Sequence, residues 1–132
     1  MTIKIVTDST CDLPKNLIEE LGINLVPLKV LFSEEIYRDG IDLSANKFYA
    51  KMSQYKELPT TAQVNPGEFT EEFGKYIENG DEVIGIFISA KLSGTYNSAV
   101  MAKETLQKEN IHLIDSQSAS FGLGMLVIEA VR

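Results

Sequence analysis

Residues 83–116, VIGIFISAKLSGTYNSAVMAKETLQKENIHLIDS, decide the architecture. Val83 to Ile88 is almost continuously apolar and mostly β-branched or aromatic, the composition of a strand covered on both faces in a parallel sheet. A polar turn, LSGTYNS, leads into a helical stretch, and IHLIDS is a second strand of the same kind. Two such strands separated by a helix form the repeating unit of a parallel sheet, because parallel neighbours need a long crossover.

The same alternation runs outward in both directions. Ile3 to Val6 reads as a strand, and the following DSTCDLPKNLIEELG carries helix punctuation: Asp12 to cap, Pro14 in the first turn, Gly22 to close, with Leu17, Ile18 and Leu21 on one face. INLVPLKVLF is expected as a second strand in which Pro27 marks an edge or an irregularity, with EEIYRDG as its hairpin partner. Ser44 caps a helix carrying Phe48, Tyr49 and Met52, and KELPTTAQ is expected as a loop. Asn65, Pro66 and Glu68 then form a capping box, and Phe69, Phe73, Tyr76 and Ile77 supply that helix's buried stripe up to Gly80. The fold class is therefore α/β, a mainly parallel sheet flanked by helices. The strands at Ile3–Thr7, Val83–Ile88 and His112–Asp115 are expected to lie adjacent and parallel. The apolar run MLVIEAVR stops at Arg132 in what reads as mid-helix, so residues 1–132 are expected to be a fragment of a longer protein.

Composition narrows the function. With 19 acidic against 12 basic residues the formal charge is −7, which opposes attraction to nucleic acid and to anionic bilayers. No segment approaches the roughly 18 apolar residues of a membrane span, so no permanent membrane association is expected. One cysteine, Cys11, cannot form an intramolecular disulfide, and the cytoplasm is the expected compartment.

Three segments are candidates for a ligand site, on the rule that open parallel sheets bind at the carboxyl ends of their strands: TDSTCD, PTTAQ and KLSGTYNS. In the last, Gly94 allows close approach, Ser93 and Thr95 add hydroxyls, and the amides entering the next helix have no intrahelical partners; a carboxylate or phosphate would fit there. Taken alone, the motif is more simply explained by Ser93 or Thr95 capping the helix. Thr60 and Thr61 form a second hydroxyl pair, of a kind that commonly satisfies its own backbone. Asp8 and Asp12 match no catalytic pattern well, Cys11 lacks a nearby histidine, Asp39 and Asp42 read as turn residues, and His112 reads as a partly buried structural residue. A single histidine leaves no histidine-rich metal site, and neither a metal nor a cofactor is expected.

Taken in order and spacing, TDSTCDLP, YRDGIDLS, LPTTAQVNPGEF, ISAKLSGTYNSA and IDSQSASFGLG resemble the signature segments of the DegV family along essentially the whole chain. Ala62 and Ala90 depart from it, standing where the family often has serine. The resemblance implies the N-terminal domain of a two-domain bacterial protein that binds a long-chain fatty acid and is not itself an enzyme. At most it is the acyl-carrying subunit that presents a carboxylate to an ATP-binding fatty acid kinase subunit. It further implies that Thr61 and Ser93 hold the carboxylate beside the Gly94 N–H, with Thr60 and Thr95 as secondary candidates. Basic residues of the C-terminal domain would complete the site, so residues 1–132 alone are expected to bind weakly or not at all. Burying a chain of about sixteen carbons at about 0.8 kcal/mol per methylene is worth at most ~11 kcal/mol. An apolar tunnel, expected along Val83–Ile88 and neighbouring helices, would then supply most of the affinity. Two alternatives stand beside this: a metal-dependent hydrolase or phosphotransferase using Asp8 and Asp12, and a protein-interaction module without a ligand.

Overall fold

The computed structural model describes residues 2–132. Its strands are β1 (Ile3–Asp8), β2 (Asn24–Val26), β3 (Lys29–Phe32), β4 (Glu35–Arg38), β5 (Thr60–Ala62), β6 (Glu82–Phe87) and β7 (Ile111–Asp115). The helices are α1 (Lys15–Leu21), α2 (Ala45–Met52), α3 (Pro66–Glu78), α4 (Thr95–Leu106) and α5 (Ser120–Val131), with a 3-10 turn at Ser9–Cys11 directly after β1. Four strands form a sheet in the order β2-β1-β6-β7, every pair parallel. The expected adjacency of the first strand, the Val83 strand and the His112 strand is thus observed. A second, antiparallel sheet has the order β4-β3-β5.

Strand periodicity sends alternate side chains to opposite faces, and the parallel sheet carries a core on each. On one face Val6, Val83 and Phe87 pack with Phe69 and Phe73 of α3 and Ala99 and Ala102 of α4. On the other, Ile5, Ile86 and Ile88 pack with Ile18 and Leu21 of α1 and Leu123 and Val127 of α5. Strand β6 feeds both layers, which is why it reads as an unbroken apolar run. A smaller core of Val30, Phe32 and Leu43 joins the antiparallel sheet to Phe48 of α2 and to Tyr55.

Local signals set most boundaries. Asn65 Oδ1 accepts from the Glu68 N–H at 2.8 Å while the Glu68 carboxylate accepts from the Asn65 N–H at 3.3 Å, completing the expected capping box. Ser44 accepts from the Lys47 N–H and caps α2. The hairpin of β3 and β4 forms as the sequence suggests.

Four expectations are corrected. The run INLVPLKVLF is two strands, because Pro27 ends β2 as the edge of the parallel sheet and the chain crosses to start β3 in the other sheet. Thr60–Ala62, expected as loop, is strand β5, paired antiparallel to β3 with Thr61 opposite Val30. Asp12 does not cap α1: it closes the preceding 3-10 turn with φ 53°, and its carboxylate accepts from Ser120 Oγ at 2.7 Å. His112 is exposed on the outer strand, with Nε2 2.9 Å from Glu82 Oε2.

Candidate functional site

The end of β1 is the first part of the site. Asp8, fully buried, accepts from the Thr10 N–H at 2.9 Å and from the Thr10 hydroxyl with one oxygen, and from the Ile88 N–H at 2.9 Å with the other. This holds the 3-10 turn after β1 against the end of β6. Next to it, Ser9 Oγ accepts from the Leu28 N–H at 3.0 Å, fixing the crossing from β2 to β3 over the same spot. Desolvation raises the Asp8 pKa above the usual carboxylate range, and its hydrogen bonds oppose that shift only in part.

The turn from β6 into α4 is the second part. Ser89 C=O accepts from the Leu92 and Ser93 amides, and Ser93 Oγ accepts from the Thr95 N–H at 3.2 Å. Gly94 is the N-cap and makes no side-chain cap, so neither hydroxyl caps α4 in the usual sense. Thr95 is fully buried; its Oγ1 accepts from the Val64 N–H at 3.4 Å and lies 3.0 Å from Ser93 Oγ. When the Thr95 hydroxyl donates to Ser93, the proton of Ser93 is left for the pocket.

Two adjoining cavities open onto these elements. The smaller, about 390 Å³, brings together Thr61, Ser93 and Gly94 with Thr10, Asp39 and Gln63. The larger, about 820 Å³, lies between Leu13 and Ile18 beside α1, Leu25 and Val30 of the strands, and Phe48 and Tyr49 of α2. Both volumes fall in the range of about 300–1,000 Å³ usual for small-molecule sites. Thr61 and Asp39 line both. Thr60, the neighbour of Thr61 along β5, and Thr95 line neither. Of the strand expected to wall an apolar tunnel, Val83, Ile86 and Phe87 are absorbed by the two cores, and Ile88 reaches the smaller cavity. The apolar walls of the larger one come instead from α1, α2 and the strands between them.

Residues 2–132 match the family model described as an uncharacterised protein of the DegV family. The chain belongs to the DegV family. A DegV domain-containing protein of Clostridium perfringens is 43% identical over 130 residues, covering 98% of this chain and 47% of that protein. Among solved structures, a fatty-acid-binding DegV family protein from Thermus thermophilus superposes with a TM-score of 0.88 at 39% identity, covering 99% of this chain and 46% of that one. A stearic-acid-binding protein from Eubacterium ventriosum gives 0.89 at 35% identity, with coverage of 100% and 47%. The DegV chain described here spans about half the length of the relatives it matches.

Asp39 and Gln63 are the pocket residues that sequence reasoning missed. Asp39 follows β4 and stands before Gly40, so it reads as a turn residue. Its N–H donates to Leu28 C=O at 2.9 Å, which carries the β3–β4 ladder one pair further just before the chain turns, and the residue lines both cavities. Burial raises its pKa, Ser9 opposes the rise, and the charges of Asp12 and Asp8 add to it. Asp42 is a turn residue as expected, paired with Arg38 at 2.9 Å.

In this DegV chain the residues of the alternative chemistry are otherwise engaged. Both oxygens of Asp8 accept internal hydrogen bonds and Asp12 accepts from Ser120. Among the described residues no three His, Cys, Asp or Glu side chains are grouped as a metal would require. Cys11 is buried and its thiol is pushed up to about 11, chiefly by desolvation, which suppresses the thiolate needed for nucleophilic work.

Proposed function

We propose that residues 1–132 form the N-terminal domain of a cytoplasmic bacterial protein that binds a long-chain fatty acid. The observation that carries this reading is the meeting of a polar pocket and a larger, mostly apolar cavity at Thr61 and Asp39. A ligand that fills both is amphipathic, with one polar end and a long apolar body. The solved DegV relatives described as fatty-acid-binding support the same ligand class.

In this reading the carboxylate sits in the smaller pocket, taking hydrogen bonds from the Thr61 and Ser93 hydroxyls and the Gly94 N–H, which is free of any intrahelical bond. The acyl chain lies against Leu13, Ile18, Val30 and Phe48 in the larger cavity. The smaller pocket has an aspartate and neither lysine nor arginine among its lining residues. A bound carboxylate there must share a proton with Asp39 or be met by a cation from outside this chain. The second half of a DegV protein is the source the family resemblance implies, and with it the presentation of the head group to an ATP-binding kinase subunit. The chain itself carries substrate and performs no chemistry.

Mass spectrometry of an organic extract of the purified protein, with and without the remaining half of a DegV polypeptide fused after Arg132, tests this. A long-chain fatty acid in stoichiometric amount is expected in the longer form. Extracts of both forms free of lipid, with no binding of added palmitate, would overturn the reading.

A further inference from the structure

We infer that the Gln63 carboxamide is a further head-group contact, donating to the ligand's carboxylate, and that residue 94 is glycine so that this carboxamide can lie across it. The inference rests on the fatty-acid reading and adds a residue to its site. Thr61 of β5 and Gln63, two residues further on, both line the smaller pocket. A Cβ at Gly94 would lie 2.1 Å from Gln63 Oε1, 2.6 Å from Cδ and 2.7 Å from Nε2, which puts the carboxamide against the Gly94 Cα.

The backbone does not explain this glycine. Gly94 has φ −76° and ψ 0°, a conformation open to other residues. What excludes a side chain is Gln63. The remaining donors of the pocket are few: the Thr10 hydroxyl is taken by Asp8, which leaves the Thr61 and Ser93 hydroxyls and the Gly94 N–H. A carboxamide N–H₂ offers two donors without a charge, at a place where Asp39 makes the surroundings acidic. The three atoms nearest an added methyl at residue 94 all belong to the end of the flexible Gln63 side chain, so Gly94→Ala is expected to leave the fold intact while swinging the carboxamide out.

Binding of palmitate and of hexadecanol, by displacement of a fluorescent lipid, is compared in the longer form, with the remaining half of a DegV polypeptide after Arg132, for the unsubstituted protein, Gln63→Ala, Gly94→Ala, the double variant and Gln63→Glu, with a melting temperature for each. Gln63→Ala and Gly94→Ala are each expected to weaken palmitate by about tenfold, one hydrogen bond to a charged acceptor, with unchanged melting. The double variant should be no weaker than either single one, since both remove the same contact. Gln63→Glu should weaken palmitate further and leave hexadecanol unchanged, because its charge opposes only the ionised head group. Palmitate affinity unchanged in Gln63→Ala overturns the inference, as does a double variant showing the full product of the single losses. An unsubstituted longer form that binds neither lipid overturns the fatty-acid reading and this inference with it.

Discussion

The Asp8 carboxylate accepts the Ile88 N–H at 2.9 Å, joining the carboxyl ends of two strands that are 80 residues apart in sequence. Both ends carry pocket residues, Thr10 beyond β1 and Ile88 at the close of β6. A fully buried carboxylate is an expensive way to make such a link, because desolvation disfavours its ionised form. Three internal donors offset part of that cost, and together they determine where the two halves of the smaller pocket stand relative to one another.

This link should have a pH signature. A carboxyl whose folded pKa is raised above its ordinary 3.8 is less stabilising once ionised: its penalty is absent below about pH 3.8, grows as pH rises to the folded value, and is constant above it. Asp8→Asn removes the titration but also an acceptor, so the variant is expected to be less stable at every pH. The gap to the unsubstituted protein should narrow as pH rises from 3.8 towards neutrality. Denaturant unfolding of both proteins across that range checks it, and a gap that widens would contradict the assigned cause.

Two glycines in helices should respond oppositely to alanine. At Gly124 in α5 an added Cβ would lie 2.7 Å from the Cys11 carbonyl oxygen and 2.9 Å from Leu13 Cδ2, so backbone must move. The overpacking costs about 1–3 kcal/mol and outweighs the helix-propensity gain of up to about 1 kcal/mol. At Gly74 in α3 nothing lies within 4 Å, and the propensity gain stands alone. Gly124→Ala is expected to lower the unfolding free energy and Gly74→Ala to raise it, as chemical denaturation would show.

The parts of this fold legible in the sequence are those governed by local pattern or by strand composition. Asn65 and Glu68 are three residues apart and make their capping box whatever surrounds them. The run Val83–Ile88 is apolar because both faces of β6 are covered, whereas β7 buries Ile111 on one face and leaves His112 and Ile114 exposed on the other. Strand β5 was not legible: Thr60, Thr61 and Ala62 show no apolar alternation, and they form a strand only because β3 offers an unpaired edge. Pro27 signals an irregularity, but the transfer of the chain to a second sheet depends on where β1 and β5 lie. The hydroxyls of Thr61 and Ser93 could be picked out from their motifs. Asp39 and Gln63 could not, since a carboxyl at a turn and an amide in a polar loop are ordinary until tertiary structure places them in one pocket.

The larger cavity can be tested apart from the head group. Ala45, at the start of α2, lines it and is exposed, so Ala45→Trp should fill space without disturbing a core. If the acyl chain lies there, affinity for long chains should fall by about 0.8 kcal/mol for each methylene displaced, while chains several methylenes shorter bind as before. Binding measured across a series of chain lengths would show the break, and a uniform loss at every length would move the chain elsewhere.

The four hydroxyls near the pocket separate into two roles. Thr61 is exposed to the pocket at the junction of the cavities, and Thr61→Ala is expected to weaken the grip on the carboxylate by about 1.5–3 kcal/mol with no loss of stability. Ser93→Ala should weaken it similarly and also cost some stability, because Ser93 Oγ accepts the Thr95 N–H. Thr95→Ala leaves the buried Val64 N–H without its acceptor and should cost about 1–3 kcal/mol of stability, with ligand affinity reduced only through Ser93. Thr60→Ala, outside both cavities, should change neither quantity. In a longer DegV polypeptide carrying lipid, the acyl chain should remain bound in all four variants, since its apolar contacts are untouched. If an acyl-phosphate-forming partner is supplied, the rate should fall most in Thr61→Ala and Ser93→Ala, because a tail held without a fixed carboxylate is poorly placed for in-line transfer. Melting temperature, retained lipid and acyl phosphate formed, measured on the same set, distinguish a head-group contact from a loop brace. Full activity in stable Thr61→Ala and Ser93→Ala proteins would remove both from the site.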